Sequence, residues 1–182
     1  MIAKAHVFIA TSLDGYIADP DGGVEWLSTL PVIEGEDHGY AGFMAGVDAL
    51  LMGGGTYRAV LGFGDWPYTL PVVVLSTHLT QTDVPDALQG RVRILGVTPR
   101  AALETLAGEG ARRVYLDGGQ LITSALQDGL VQRLTITRVP VLLGRGLPLF
   151  GDTGPQRLHH VETRSWPNGF VQSTYEVLPL EG

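Results

Sequence analysis

The chain has 182 residues, 45% of them hydrophobic and 17% charged, with a net charge of −7 and a pI near 5.1. That composition suits one globular domain with a sizeable core and leaves no basic face for nucleic acid. The absence of cysteine excludes disulfides, thiolate nucleophiles and thiolate metal sites.

In chain order, a strand is predicted over residues 5–10. Thr11-Ser12-Leu13-Asp14-Gly15-Tyr16-Ile17-Ala18 follows, and then the polar, glycine-rich residues 19–24 ahead of Glu25-Trp26-Leu27. A loop of that length behind a buried strand suits a ligand cover. Asp14 reads either as a group that orients or protonates a polar substrate, or as an Asp-Gly turn residue bonded to its own backbone. A helix is expected at about 37–46. Apolar, β-branched runs predict strands at 49–52, 72–76, 92–97 and 114–117, of the kind covered on both faces. Helices alternate with them at about 55–62, after Thr98, and at about 119–128, the pattern of parallel strands joined by crossovers. Thr98 and Pro99 make the best helix start, as N-cap and first helical residue, and Gly108 with Gly110 stops that helix. The pattern then changes to strands at 130–139, 159–166 and 170–178, the last two joined by Pro167-Asn168-Gly169, a hairpin signal. No apolar run reaches the roughly 20 residues of a membrane-spanning helix. The start lacks a signal-peptide layout. The expectation is one cytoplasmic domain over residues 1–182.

Two strand-to-helix junctions carry glycines: Met52-Gly53-Gly54-Gly55-Thr56-Tyr57 and Asp117-Gly118-Gly119-Gln120-Leu121. Free amides and partial positive charge at a helix start attract phosphate, and glycine lets the backbone approach it. One such junction is an ordinary tight turn; two behind apolar strands point to a diphosphate clamp. Neither G-x-G-x-x-G nor a P-loop occurs, so a dinucleotide would not sit in the usual Rossmann manner. Ser76-Thr77-His78 at a strand exit reads as a ribose-phosphate contact or a plain polar exit. Asp117 reads as the N-cap of the helix behind it. His159-His160 points to opposite faces of a strand, with no third ligand for a metal. Arg145, between two glycines, reads as a solvated turn residue or an anion contact.

These segments together resemble the dihydrofolate-reductase-like superfamily, in the branch of the C-terminal reductase domain of the riboflavin biosynthesis protein RibD. The resemblance is carried by Ser12–Ala18, Trp26-Leu27, Met52-Gly53 with Thr56-Tyr57, Leu75-Ser76, Asp117-Gly118-Gly119, Pro140-Val141-Leu142-Leu143-Gly144 and Pro148-Leu149-Phe150, in order over nearly the whole chain. It implies an α/β, three-layer αβα fold with a mostly parallel central sheet and an antiparallel C-terminal hairpin. It implies NADPH as cofactor, with Ala10 and Ile17 flanking the nicotinamide. Gly53, Gly55 and Thr56 match one phosphate turn, Gly118, Gly119, Gln120 and Leu121 the other, and Ser76 and Thr77 the 2′-phosphate contact. Asp14, Trp26 and Tyr57 match the substrate side, with Asp14 as candidate catalytic group. The family often carries arginine where this chain has Gly54; His78, Arg58 or Arg100 would have to compensate for NADPH to be preferred over NADH. The resemblance also implies a homodimer, with residues 130–139 and 147–150 as candidate contacts.

The expected activity is therefore NAD(P)H-dependent reduction of a small polar substrate, heterocyclic or ribosylaminopyrimidine-like. The alternatives are a nucleotide-binding regulatory module without turnover, and a hydrolase or isomerase using Asp14 with Glu25.

Overall fold

The computed structural model describes residues 1–179. The first half forms β1 (Lys4–Thr11), β2 (Tyr16–Ala18), α1 (Glu25–Ser28), α2 (Tyr40–Met44), β3 (Ala49–Gly53), α3 (Gly54–Leu61) and β4 (Val72–Leu75). The second half forms β5 (Val92–Leu95), α4 (Pro99–Gly108), β6 (Arg113–Asp117), α5 (Gly119–Gln127), β7 (Val131–Arg138), β8 (Leu147–Pro148), β9 (Leu158–Ser165) and β10 (Val171–Val177). Eight strands make one sheet in the order β5-β4-β3-β6-β1-β7-β10-β9. Neighbours from β5 to β7 pair in parallel, and β10 runs antiparallel between β7 and β9.

The all-apolar runs lie where both faces are covered. Leu50, Leu51, Met52, Val73 and Val74 have no exposed surface. Burying each such side chain contributes about 1.5–3 kcal/mol. Leu103, Leu106, Ile122 and Leu126 of α4 and α5 pack on Val7, Leu51, Val73 and Leu116 on one face. Tyr57 and Val60 of α3, with Phe43 and Met44 of α2, pack on Leu50, Met52, Val74 and Tyr115 on the other. The three expected layers are present over this half.

Several elements differ from expectation for local reasons. The helix expected at 37–46 shrinks to α2, because the Asp37 carboxylate accepts from the Gly39 and Ala41 amides at 2.9 and 2.8 Å and so starts it late. The C-terminal hairpin forms, but its turn is not the two-residue Asn-Gly kind. The Gly169 N–H donates to the Trp166 carbonyl, and Gly169 alone has positive φ (+87°). That is a type I turn with proline second and glycine fourth. Within residues 130–139, β7 lies between β1 and β10, so no strand edge is free there, and its Val131 and Leu134 are spent on the core. β9, by contrast, is exposed along its whole length.

One pairing had no sequence signal. β2 and β8 form a two-stranded sheet, and the Leu149 N–H donates to the Gly15 carbonyl at 3.0 Å. This ties residues 12–18 to residues 141–149, far apart in sequence, into a single wall beside α5.

Candidate active site

The exits of β4, β3 and β6, with the last turns of β1 beside them, open on one cleft of about 1690 Å³. Adjacent strands lie about 4.8 Å apart, so these four positions span roughly 14 Å. Ser76 and Thr77 line it at β4, and Gly53, Gly55 and Thr56 at the β3–α3 junction. Gly118, Gly119, Gln120 and Leu121 line it at the β6–α5 junction, and Ala10 in β1, with Ile17 on the adjoining wall. Every residue matched to a cofactor contact in the sequence therefore faces the same space, in strand order.

The two glycine junctions touch. Gly118 has φ +111°, and a Cβ there would stand 2.6 Å from Thr56 Oγ1. A Cβ on Gly119 would stand 2.6 Å from the Pro148 carbonyl oxygen, on the wall made by β8. Glycine is thus required at both by close approach, and at Gly118 also by conformation. Neither helix start carries a side-chain cap: Gly53 precedes α3 and Gly118 precedes α5. Their first amides lack intrahelical partners. A bridging diphosphate fits this pair of starts, supplying the acceptors that the chain leaves out.

Asp117 ends β6 and is not the cap of α5 that the sequence suggested; Gly118 holds the cap position. Tyr115 and Asp117 are two residues apart on a strand and so share a face. Both line the cleft, with Phe8, Tyr40 and Tyr68. Burial pushes the Asp117 carboxyl up to about 6, partly offset by the Gly118 amide. Burial first and the Asp117 charge second push the Tyr40, Tyr68 and Tyr115 hydroxyls upward. The Tyr115 hydroxyl donates to the Phe8 carbonyl at 2.8 Å, fixing that ring. Sequence reading missed this group as chemistry, although the two-residue spacing of Tyr115 and Asp117 was there to be read.

The three residues matched to the substrate side lie elsewhere. Asp14 is exposed and does not line the cleft. Its carboxylate accepts from the Leu143 and Gly144 amides at 3.1 and 2.8 Å. The Ser12 hydroxyl, with those amides, holds it below the usual carboxylate range. Asp14 thus pins one loop to another, closer to the turn-residue alternative. Tyr57 is 1% exposed in the core, edge-on to Trp66. Trp26 is half-buried on α1, where its neighbours Val24 and Leu27 reach the cleft and it does not. Of the basic residues weighed against the missing arginine at Gly54, Arg58 and His78 line the cleft, whereas Arg100 donates to the Asp128 carbonyl. Arg145 is exposed on its turn, outside the cleft.

A second cavity, of about 760 Å³, lies on the part of the sheet that α2 and α3 leave open. Lys4, Arg113, Arg133 and Arg164 line it with Glu162 and Glu176. Burial first, then Arg113, Arg133 and Lys4, lower the pKa of His6 there to about 4. Among the described residues no cluster of three or more histidine or carboxylate groups is placed to hold a metal, and no helix is long and apolar enough to cross a membrane.

Comparison with known proteins matches the family described as the RibD C-terminal domain over residues 3–172. The uncharacterized protein YwjB of Bacillus subtilis (strain 168) is 34% identical over 154 residues, covering 82% of this chain and 84% of that one. A Shewanella sp. PV-4 crystal structure, provisionally described as a riboflavin biosynthesis protein, is 37% identical with a TM-score of 0.89, covering 98% of this chain and 100% of that one. The Thermotoga maritima diaminohydroxyphosphoribosylaminopyrimidine deaminase/5-amino-6-(5-phosphoribosylamino)uracil reductase shares the fold, with a TM-score of 0.73 at 15% identity; the match covers 97% of this chain and 57% of that one.

Proposed function

The chain belongs to the RibD C-terminal domain family, with the dihydrofolate-reductase-like α/β fold of its reductase domains, and from that membership we propose that it is an NAD(P)H-dependent reductase of a small polar heterocycle. The observation that carries the reading is the meeting of two uncapped helix starts and the Asp117 carboxyl in one cleft. The α3 and α5 amides would hold the diphosphate. Ser76, Thr77, His78 and Arg58 would meet the adenosine ribose and its phosphate, which favours NADPH. Ala10 and Ile17 would flank the nicotinamide.

When bound, the reduced nicotinamide supplies a hydride, two electrons with one hydrogen. The reduced C=N or C=C bond of the substrate must then also gain a proton. Asp117 is the titrating carboxyl at the cleft floor, and it is protonated below about pH 6. A carboxyl tuned toward neutrality is suited to deliver that proton. The β2–β8 wall and residues 20–24 of the preceding loop would keep bulk water from the reacting atoms. We further propose a cytoplasmic homodimer, its association to be tested by light scattering; the fully exposed β9 and the exposed Leu147 and Phe150 are candidate surfaces for it.

The test is titration with NADPH and NADH, followed by nicotinamide fluorescence. NADPH should bind more tightly, and Arg58→Ala should narrow the gap by about tenfold, the usual order for one charge-assisted contact. Absence of binding by either nucleotide would end the reductase reading. Binding of both without oxidation of NADPH by any pterin or pyrimidine would favour the regulatory alternative.

A further inference from the structure

The open part of the sheet gathers positive charge that the cleft does not use. Of the chain's 12 lysines and arginines, Lys4 on β1, Arg113 on β6, Arg133 on β7 and Arg164 on β9 line the second cavity. In a chain of net charge −7 that is a local reversal of sign. Two of these cations are spent: Arg133 stands 3.4 Å from the Glu176 carboxylate, and Arg164 stands 3.0 Å from that of Glu162. No other carboxylate lines the cavity among the described residues. Lys4 and Arg113 are cross-strand neighbours, and neither has an ion-pair partner among the described residues. The Asp48 carboxylate accepts instead from the Arg112 and Arg113 main-chain amides, at 2.8 and 3.0 Å. Two like charges side by side repel each other, and an anion between them relieves that repulsion. The other wall of the cavity is apolar. Phe8 and Phe43 line it, with ring centroids 4.8 Å apart. α2 adds Gly42, where an ideal Cβ meets nothing within 4 Å. An ideal Cβ on Gly46, four residues on, would stand 3.4 Å from an Arg113 guanidinium nitrogen, so the apolar wall adjoins the free charges. Phe8 also lines the main cleft, and its carbonyl accepts the Tyr115 hydroxyl.

We propose that the second cavity is an effector site for a small aromatic phosphate monoester, its phosphate between Lys4 and Arg113 and its ring against Phe8 and Phe43. Arginine meets two phosphate oxygens at once, and lysine adds a point charge. Phenylalanine pairs accept a further ring offset or edge-on. At about 760 Å³ the cavity falls within the usual size of a small-molecule site. Its occupant reaches the cleft through shared side chains. Phe43 stands edge-on to Tyr115 at 5.0 Å, so a ring that shifts Phe8 or Phe43 shifts a wall of the cleft. His6 sits among the same cations and reports on them, since burial first and then Arg113, Arg133 and Lys4 hold its imidazole neutral.

The probes are phenyl phosphate and inorganic phosphate. Calorimetry gives their affinities, and NMR of the His6 imidazole, identified by its loss in His6→Gln, gives the place of binding whatever the cleft holds. Phenyl phosphate should move the His6 ring signals and raise its pKa from about 4, because a neighbouring anion favours the imidazolium. Lys4→Gln and Arg113→Gln, both at exposed positions, should each weaken phenyl phosphate by about tenfold and leave NADPH affinity in its absence unaltered. Gly42→Leu, which puts a side chain in the space of the ring, should weaken phenyl phosphate by about tenfold and leave inorganic phosphate as it was. NADPH affinity should change several-fold when phenyl phosphate is bound. Binding that leaves NADPH affinity unmoved would keep the site and sink its role as an effector. His6 signals that ignore millimolar phenyl phosphate overturn the proposal, as does affinity indifferent to both charge substitutions. Inorganic phosphate binding as tightly as the ester would overturn the aromatic class. A dimer that Lys4→Gln with Arg113→Gln dissociates, in protein that takes up no ester, would assign this face to a second copy of the chain and overturn the proposal outright.

Discussion

Three helices start just after parallel strands of this sheet, and they start in two ways. α4 is capped: the Thr98 hydroxyl accepts from the Ala101 amide at 3.3 Å, and Pro99 brings no N–H to satisfy. α3 and α5 begin on glycines without side-chain caps. Val97 and Pro99 show that α4 also borders the cleft, so position alone does not separate the two kinds. What separates them is whether the starting amides are already spent. A side-chain cap is worth about 1 kcal/mol of stability. The chain takes that gain at α4 and forgoes it at the two starts that face each other across Gly118 and Thr56.

The strongest way to break this contrast is at the crowded glycine. Gly118→Asp would drive a side chain onto Thr56 and set a negative charge beside both helix starts. NADPH affinity should fall by about 100-fold or more. The strained backbone at Gly118 should also lower Tm, so circular dichroism must show the variant folded at the temperature of the titration; unchanged affinity of the folded variant would refute the site.

Next is the carboxyl one residue earlier. Asp117→Asn should lower kcat by about 100-fold, the usual order for losing a positioned acid. In the unsubstituted protein, activity should fall as the pH rises through about 6, because only the protonated carboxyl donates; the variant should lose that limb. Stability should move the other way. The folded pKa is raised above the ordinary value of 3.8, so the folded state retains a proton that the unfolded chain releases. Stability is therefore lost as the pH climbs from about 4 to about 6. Asn cannot ionise, so the variant should gain Tm over the parent at pH 7 and match it at pH 4. A Tm difference independent of pH would contradict the burial of this group.

A smaller change sharpens the comparison by converting one kind of start into the other. A Cβ on Gly53 meets nothing within 4 Å, and its backbone is extended, as a cap requires. Gly53→Ser should stabilise α3 by a few tenths of a kcal/mol. It should also weaken NADPH by up to about tenfold, since the new hydroxyl competes for the same amides. Gains in both would show that the bare start has no ligand to serve. The smallest effect is expected at α4. Thr98→Ala should cost about 1 kcal/mol in denaturant unfolding and leave nucleotide affinity unaltered.

Much of this was open to reading residue by residue. The alternation of apolar runs and helices, the Thr98–Pro99 start, the glycines at both strand-to-helix junctions and the C-terminal hairpin follow from short-range rules: propensity, capping and turn chemistry act over a few residues. Three readings went astray where local and distant partners competed. Asp14 has the composition of a reactive loop residue, yet its carboxylate is consumed by amides at 143 and 144. Tyr57 sits beside the glycine-rich start of α3 in sequence, but the helical period rotates it into the core. Asp117 looks like a cap because it precedes a helix, yet the strand holds it on the face of Tyr115.

The sequence by itself determined the elements, their glycine-fronted starts and the family to which they belong. Only the tertiary structure decided the strand order that sets β4, β3, β6 and β1 side by side, and with it the shared cleft and the part-buried carboxyl among tyrosines. The reason is physical. Backbone conformation is chosen by neighbours in the chain, whereas burial, electrostatic tuning and the meeting of two helix starts are created by strands that pair across more than a hundred residues.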